Sequence, residues 1–231
     1  MSRILIIEDD EDINQLLCKI LRKEGYEVTS AYSGTEGKLR LEQELPDLIL
    51  LDLMLPGMKG EEITEYVRKE KQSTLPIIVL SAKTALENKV ELITMGADDY
   101  ITKPFEPQEV LVRVMAMLRR TGLTEAKQHN AEKTEYHYKN MLLNTESRTV
   151  TVKGVEIALT PHEYEILLLL LQQPEKVFSR DVLYEKVWSS GYLGEDNTVN
   201  VHVSNIRKKI AAVDAEGEYI KTVWGIGFKM A

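Results

Sequence analysis

Polar and charged side chains follow four of the apolar runs in the first half of the sequence. Glu8 and Asp9 follow one run, Asp52 another, and Ser81 and Lys103 two later ones. If these runs are parallel strands, their carboxyl ends meet at one sheet edge, where ligands bind in open α/β sheets. Three carboxylates there repel one another unless a cation holds them, and hard oxygen ligands suit Mg²⁺. With a lysine and a hydroxyl, the set describes a phosphoryl site in which a carboxylate attacks in line.

Each of these residues taken singly also has a purely structural explanation. Asp52 at the end of a strand is equally explained as a helix cap, Ser81 as another cap, and Lys103 as an ordinary surface lysine. The phosphoryl-site interpretation therefore depends on the conjunction of these residue types at four separate strand ends.

The elements that must position these residues follow from the apolar patterning of residues 1–120. Five short apolar runs alternate with five segments of helical periodicity, which predicts an α/β fold with a doubly wound, five-stranded parallel sheet of the flavodoxin type. The unbroken run Leu48 to Leu51 predicts a central strand buried on both faces. No glycine-rich loop follows the first run, so a nucleotide-binding fold is disfavoured.

The strand-end motifs resemble the receiver domain of bacterial two-component response regulators, over the whole of residues 1–120. The residues that carry the resemblance are Glu8-Asp9, Asp52 followed by Met54-Leu55-Pro56-Gly57, Ser81-Ala82 and Lys103-Pro104-Phe105. The resemblance implies that Asp52 accepts a phosphoryl group from a phosphohistidine on a sensor histidine kinase, with Mg²⁺ as cofactor.

The resemblance also implies a role for each residue around the acceptor. The metal ligands would be Asp9, Asp52, the Met54 backbone carbonyl and, through water, Glu8. Lys103 would pair with the phosphoryl group, Ser81 would hydrogen-bond it, and Tyr100 would be the switch aromatic that turns inward with Ser81. Asp10 would be a bystander, with a metal role as the alternative.

Charged residues late in the first half form a second expected surface. The resemblance to the winged-helix subfamily implies a two-fold receiver dimer held by ion pairs there, with Lys89–Glu109 and Asp99–Arg113 as the expected pairs. The full predicted face comprises Lys89, Asp98, Asp99, Glu109, Arg113 and Arg120. The alternative is a solvated charged face, because exposed ion pairs contribute only about 0–1 kcal/mol each.

The second half has a different pattern, after a polar segment at 121–135 that predicts a flexible linker. Over 136–231, short strands precede three helices and a C-terminal hairpin, which predicts a winged helix-turn-helix domain. The third helix, Thr198 to Ala211, is the candidate for the DNA major groove, because its outer face carries amides, hydroxyls and a basic end. The alternative is a basic helix end that complements the helix dipole.

Three segments of this half resemble the OmpR/PhoB-type effector domain: 160–164, 197–208 and 222–228. The resemblance implies binding of double-stranded DNA and contact of the 188–197 loop with RNA polymerase. The expected DNA contacts are Thr198, Asn200, Val201, His202, Ser204, Asn205, Arg207, Lys208, Lys209 and Trp224. The sequence departs from the family in having Ser204, Asn205 and Trp224 where arginines are common. Trp224 either contacts DNA or packs on the core.

Bulk composition limits the class of protein. The net charge is −8, with −6 in residues 1–120 and −1 in residues 136–231, so any nucleic-acid site must be a local patch. The single cysteine, Cys18, excludes an intramolecular disulfide and favours a reducing, cytoplasmic setting. Acidic residues interrupt the N-terminus, so no signal peptide is expected. The longest aliphatic run, 166–171, is too short to cross a membrane.

Together these features predict a DNA-binding transcription regulator, not an enzyme in its own right, that is switched by phosphorylation of Asp52 and dimerisation. One rival is a Mg²⁺-dependent phosphohydrolase with Asp52 as nucleophile. The haloacid-dehalogenase pattern requires a second aspartate two residues later, where this chain has Met54. A second rival is a regulator that ignores phosphorylation, against which the intact acid, hydroxyl and lysine set argues.

Overall fold

The chain forms two compact units, residues 1–125 and 126–231. The structure is a computed structural model that describes residues 1–82, 93–120, 134–188 and 197–231. Within those ranges, no helix combines the length and the apolar character needed to cross a membrane. Each unit has its own hydrophobic core.

The first unit is a five-stranded parallel sheet flanked by helices. Its described elements are β1 (Arg3–Ile7), α1 (Glu11–Lys23), β2 (Glu27–Ala31), α2 (Gly34–Gln43), β3 (Leu48–Asp52), α3 (Gly60–Glu65), β4 (Ile77–Ser81), β5 (Asp99–Thr102) and α4 (Pro107–Arg120). A π-helical turn, Tyr66–Glu70, extends α3. The fourth predicted helix, 84–95, lies mostly outside the described residues. Its last three residues, 93–95, are described and are helical.

The strand order β2-β1-β3-β4-β5 confirms the predicted doubly wound fold. The chain runs from β1 outward to β2 and returns to place β3 on the other side of β1. This reversal opens a crevice at the carboxyl ends of β1 and β3, where ligands bind in such sheets. Both β3 and β4 are buried along their whole length, as continuous aliphatic runs require.

One half-buried arginine connects the layers near the start of β5. The Arg68 guanidinium donates hydrogen bonds to the carbonyls of Ser73, Leu75 and Gly96, and it pairs with the Asp98 carboxylate at 2.8 Å. Asp98 is fully buried and also accepts from the Ile77 amide. This arrangement fixes the start of both β4 and β5.

The second unit combines a four-stranded antiparallel sheet, three helices and a three-stranded sheet. Its described elements are β6 (Glu135–Tyr138), β7 (Met141–Asn144), β8 (Thr149–Val152), β9 (Val155–Glu156), α5 (Pro161–Gln172), β10 (Phe178–Ser179), α6 (Arg180–Trp188), α7 (Thr198–Ala211), β11 (Ile220–Val223) and β12 (Gly227–Met230). The sheet orders are β6-β7-β8-β9 and β10-β12-β11. This is the predicted winged helix-turn-helix architecture.

Local sequence accounts for where these helices begin. Thr160 and Glu163 form the predicted capping box of α5, and Pro161 occupies its first turn, where no amide is needed. The apolar faces of α5, α6 and α7 then share one core, which includes Leu167, Leu183 and Ile206.

The structure corrects two details of the predicted second unit. Glu135, the last residue of the predicted linker, is the first residue of β6 and pairs with Asn144. The two-residue strand β10 was not predicted, and it pairs with β12 through Phe178 and Phe228. A two-residue run carries too little periodicity to be found from sequence. The remainder of the predicted linker, 121–133, lies outside the described residues.

We expect Arg68→Met to destabilise the first unit by about 3–5 kcal/mol, because it removes the cation that pairs with a buried carboxylate. Hydrogen exchange of the β4 and β5 amides through a urea titration measures the loss. Arg40→Met is the matched control, since Arg40 forms only an exposed i,i+4 pair with Glu36 and should cost less than about 1 kcal/mol. The double variant Arg68→Met/Asp98→Asn should cost less than Arg68→Met alone; an equal or larger loss would contradict this account.

Candidate functional site

Three carboxylates lie together at the crevice between β1 and β3. Glu8 and Asp9 directly follow β1, and Asp52 is the last residue of β3. Each offers an oxygen atom, and these oxygens lie within 4.8 Å of one another. Glu8 and Asp52 are buried, whereas Asp9 is exposed. The structure thus brings together the acids that the sequence placed at one sheet edge.

Lys103 neutralises part of this charge. It follows β5, and its ammonium donates to both carboxylate oxygens of Glu8, at 2.8 and 2.7 Å, and to Asp52. Its amide donates to the Ser81 carbonyl at 2.8 Å, which holds the β5 end beside the β4 end. Burial lowers the pKa of Lys103, but hydrogen bonds and charge from Asp52 and Glu8 outweigh it and raise the pKa overall. The lysine therefore remains a cation.

The cluster still has an excess of negative charge, which one ammonium does not balance. The pKa of Glu8 is raised to about 7, mainly by burial and also by the Asp52 charge, although hydrogen bonding and charge from Lys103 oppose both effects. A further cation at this edge would favour the charged form of Glu8. Carboxylate oxygens are hard ligands of the kind that Mg²⁺ prefers. Glu8, Asp9 and Asp52 therefore fit such an ion.

The Asp52 carboxylate is oriented from two sides. One oxygen, Oδ1, accepts a hydrogen bond of 2.8 Å from the Met54 amide, and Oδ2 contacts Lys103. Gly60 is packed against the Asp52 carbonyl, where a Cβ would approach within 2.4 Å. The Asp52 carboxylate is therefore held between its own turn and the lysine.

Ser81 lies on β4, the strand next to β3, and Tyr100 lies on β5, one strand further out. Ser81 ends β4 and is buried, in register with Thr102 of β5. Tyr100 lies within β5, in register with Val79, and its side chain is only 8% exposed. Tyr100, the predicted switch aromatic, is therefore a buried residue in this structure.

Asp10, the third acid after β1, is engaged at the start of α1. Its carboxylate accepts from the amides of Asp12 and Ile13 at 3.0 Å and caps α1. The group of carboxylates that lie close enough together to hold a metal does not include Asp10.

The predicted dimer face differs from its sequence description. Asp98 is buried beneath the surface with Arg68, because it closes the start of β4. Asp99 pairs with Arg113 within one chain, at 2.9 Å, and Arg113 also pairs with Glu109. Lys89 and the side chain of Arg120 lie outside the described residues.

In the second unit, α7 buries more of its surface than the sequence indicated. Thr198, Val201 and His202 were expected to contact DNA, but their side chains are buried at 8% exposure or less. The helix packs on α5 and α6 together, so its apolar stripe is wide; the His202 ring lies 5.3 Å from that of Trp188. These three side chains do not reach the outer face.

Two of the expected basic contacts are engaged within the unit. Arg207 donates to the Ile220 carbonyl, at 3.1 and 2.8 Å, and to the Thr222 hydroxyl at 2.9 Å. Lys209 pairs with the buried Glu163 carboxylate at 2.6 Å. Arg207 therefore fastens the hairpin to α7, and Lys209 fastens α7 to the start of α5.

The outer face of α7 retains Ser204 and Lys208 as exposed side chains, with Asn200 and Asn205 partly exposed. Trp224 is 91% exposed at the hairpin tip, which rules out packing on the core of its own unit.

Three exposed residues near this face were not selected from the sequence: Arg180, Lys221 and Ile226. Arg180 donates to the Asn200 side chain at 3.0 Å and so joins the start of α6 to the outer face of α7. No local pattern marks a lone arginine after a two-residue strand. Lys221 and Ile226 belong to the alternating hairpin pattern, which could have indicated them.

Comparison with known proteins identifies both units. Residues 4–115 match the family model of the response regulator receiver domain, and residues 154–230 match that of the transcriptional regulatory protein C-terminal domain. The transcriptional regulatory protein SrrA of Staphylococcus aureus is 40% identical over 231 residues, a match that covers 99% of this chain and 95% of SrrA.

Solved structures agree over the full length. A mutant of the protein RitR has a TM-score of 0.74 at 30% identity, and the match covers 100% of this chain and 99% of that one. The response regulator DrrB of Thermotoga maritima, described as an OmpR/PhoB homolog, has a TM-score of 0.52 at 30% identity with the same coverage. The chain therefore belongs to the OmpR/PhoB-type response regulators: it is a transcriptional regulator in which a receiver domain precedes a winged-helix DNA-binding domain.

Proposed function

We propose that Asp52 accepts a phosphoryl group from a sensor histidine kinase in the presence of Mg²⁺, and that this modification controls binding to repeated DNA sites. The observation that carries the proposal is the placement of Asp52 between Lys103 and the two acids after β1. A structural cap would not need a half-buried ammonium and two further carboxylates. The receiver family supports a histidine kinase as the donor.

The chemistry follows from the atoms around Asp52. An oxygen of its carboxylate would attack phosphorus in line, forming a P–O bond as the bond from phosphorus to the imidazole nitrogen breaks. The electron pair of that bond stays with the departing imidazole. Lys103 lies where its ammonium can pair with the phosphoryl oxygens, and the Ser81 hydroxyl is placed on the adjacent strand to hydrogen-bond one of them.

The metal would be held by Asp9, Asp52 and the Met54 carbonyl, with Glu8 acting through water. Bound Mg²⁺ would supply positive charge that neutralises the transferring phosphoryl oxygens. The excess of carboxylates over ammonium at this edge supports that assignment.

Phosphorylation would alter the face formed by β5 and α4. Ser81 and Tyr100 lie on paired strands, and Asp99 precedes Tyr100 directly and bonds to Arg113 of α4. Drawing Ser81 towards the phosphoryl group would therefore bias the position of β5 and the Asp99–Arg113 pair. We propose that this bias favours a two-fold receiver dimer. About 1.4 kcal/mol of preferential dimerisation changes an equilibrium constant tenfold.

The dimer would place two α7 helices on two DNA half-sites. In the described part of α7, the side chains available for the major groove are Asn200, Ser204, Asn205 and Lys208. Asparagines bind adenine edges well, and lysine contributes phosphate attraction. Arg180 is positioned beside Asn200 and is a further candidate for phosphate contact.

Other parts of the proposal rest on the family alone. One such part is contact of the 188–197 loop with RNA polymerase. Most of that loop lies outside the described residues. The DNA-binding domain supports action in the cytoplasm, where bacterial DNA lies. The rival phosphohydrolase function is disfavoured because Met54 occupies the position of the second aspartate, and its side chain points into solvent with 71% exposure.

We expect acetyl phosphate with Mg²⁺ to add one phosphoryl group to the wild-type chain and to raise its affinity for selected DNA by about tenfold or more. Asp52→Asn should lose both effects, because its amide is not a nucleophile. Intact-mass measurement follows the first effect, and DNA titration with sedimentation analysis follows the second.

Asp10→Asn is the control for this experiment, since Asp10 is a neighbouring acid that only caps α1. It should accept the phosphoryl group as the wild type does. Phosphorylation of the Asp52→Asn variant at the same extent would sink the assignment of the acceptor, and equal DNA affinity with and without the phosphoryl group would sink the switch.

We expect Asp9→Asn to weaken Mg²⁺ binding about tenfold or more, because it removes a charged oxygen ligand from an exposed position. Isothermal titration with MgCl₂ in the absence of a phosphodonor measures this directly. Asp10→Asn again serves as the control and should bind Mg²⁺ with the wild-type affinity. Equal Mg²⁺ affinity in the Asp9→Asn variant would remove Asp9 from the ligand set.

We expect Lys208→Ala to weaken DNA binding uniformly across sequences and to reduce the salt slope by about one, as loss of one phosphate contact does. Titrations at several salt concentrations give the slope. Lys19→Ala removes the same charge from the exposed surface of α1 in the receiver domain and should leave the slope unchanged. A changed slope in both variants would indicate a general charge effect.

A further inference from the structure

Asn14 is a fully buried polar side chain on the inner face of α1. The other buried residues of this helix are Leu17, Cys18 and Leu21, none of which is charged or carries an amide. An amide group costs free energy to bury unless its donors and acceptor are hydrogen-bonded. The partners of the Asn14 side chain therefore explain why an asparagine occupies this position.

The Asn14 side chain joins the ends of the first two strands. Its Nδ2 donates to the Glu8 carbonyl at 3.0 Å and to the Ala31 carbonyl at 3.4 Å. Its Oδ1 accepts a hydrogen bond of 3.5 Å from the Cys18 thiol. Since two carbonyls face the nitrogen, this orientation of the amide is the one that satisfies them. Asn14 thus ties the residue after β1 to the last residue of β2.

The backbone of the same residue holds the other side of this turn. The Asn14 backbone amide donates to the Asp10 carbonyl at 2.9 Å. Asp9 therefore lies between two residues, Glu8 and Asp10, whose carbonyls both accept hydrogen bonds from Asn14. Because the Asp9 side chain is exposed, the direction of its carboxylate depends on this short backbone segment.

We propose that Asn14 is a positioning residue for the metal site, which fixes the turn so that the Asp9 carboxylate lies beside those of Glu8 and Asp52. The inference rests on the proposed Mg²⁺-dependent function and adds a residue to it. Asn14 does not touch the ion in this account, but acts through the backbone on either side of Asp9. Residues that orient metal ligands typically change metal affinity by about 10–100-fold when they are replaced.

The effect should depend on the ion. Mg²⁺ demands near-octahedral geometry, whereas Ca²⁺ accepts a flexible arrangement of oxygen ligands. A displaced Asp9 carboxylate should therefore disfavour Mg²⁺ more than Ca²⁺. General loosening of the domain would weaken the binding of both ions alike.

Metal selectivity tests the role of Asn14. In isothermal titrations of the full-length protein with MgCl₂ and separately with CaCl₂, Asn14→Leu should weaken Mg²⁺ binding about tenfold or more and Ca²⁺ binding by less than about threefold. Asn14→Ala removes the same donors without adding volume and should give the same pattern, so the test does not depend on how leucine packs. Unchanged Mg²⁺ affinity, or equal losses for the two ions, would overturn the inference.

Cys18→Ala is the matched control. It trims the same buried face of α1 and removes the donor to Oδ1, but it leaves both hydrogen bonds from the Asn14 Nδ2. It should keep the wild-type ratio of Mg²⁺ to Ca²⁺ affinity, and urea titration of each variant shows how far α1 packing has been weakened. A change of this ratio as large as that in Asn14→Leu would overturn the positioning role.

A double-mutant cycle tests whether Asn14 acts through Asp9. In the Asp9→Asn background, Asn14→Leu should weaken Mg²⁺ binding by less than about threefold further, because the losses of coupled residues do not add. Fully additive losses would overturn the inference. Absence of Mg²⁺ binding by the wild type would instead contradict the proposed metal site, and with it this inference.

Discussion

The site in the receiver domain depends on one half-buried ammonium that contacts two carboxylates. Lys103 contacts Glu8 and Asp52 at once, and through them it joins the ends of β1, β3 and β5. Each carboxylate would be costly at this depth without it, as the raised pKa of Glu8, about 7, indicates. The same contacts leave a surplus of negative charge that faces the exposed Asp9. The sheet edge is thus assembled in advance, with an excess of negative charge that a bound cation would offset.

The same use of charge recurs elsewhere in the chain. Arg68 closes the start of β5, Arg113 joins β5 to α4, Lys209 fixes α7 to α5, and Arg207 fixes the hairpin to α7. In each case a cation satisfies a buried or partly buried oxygen. These side chains determine where the functional surfaces lie.

This engagement of cations has a consequence for DNA recognition. The second half has a net charge of −1, and two of the three residues in its basic cluster at 207–209 serve the fold. What remains on the outer face of α7 is mainly amide and hydroxyl, with Lys208 as the exposed cation. The described outer face of α7 therefore offers more hydrogen-bonding groups than positive charges.

The sequence by itself determined the parallel sheet, because unbroken aliphatic runs such as Leu48 to Leu51 have no other low-energy place than between two helical layers. It also determined that Glu8, Asp9 and Asp52 meet at one edge, since parallel strands bring their carboxyl ends together whatever the side-chain details. Local sequence also determined the capping box of Thr160 and Glu163 and the bounds of α7. The structure has both features as predicted.

Only the tertiary structure decided which side chains are available. A helical projection of α7 places His202 and Val201 outside its main apolar stripe. Both are nevertheless buried, because α7 packs against two helices. The sequence predicts Asp98 and Asp99 as surface charges, because their partners are distant in the chain. Arg68 is 30 residues from Asp98, and Arg113 is 14 residues from Asp99. Trp224 reads as core by residue type, but a three-residue hairpin loop holds it clear of the domain. Burial depends on which elements pack together, and that information is not local in the chain.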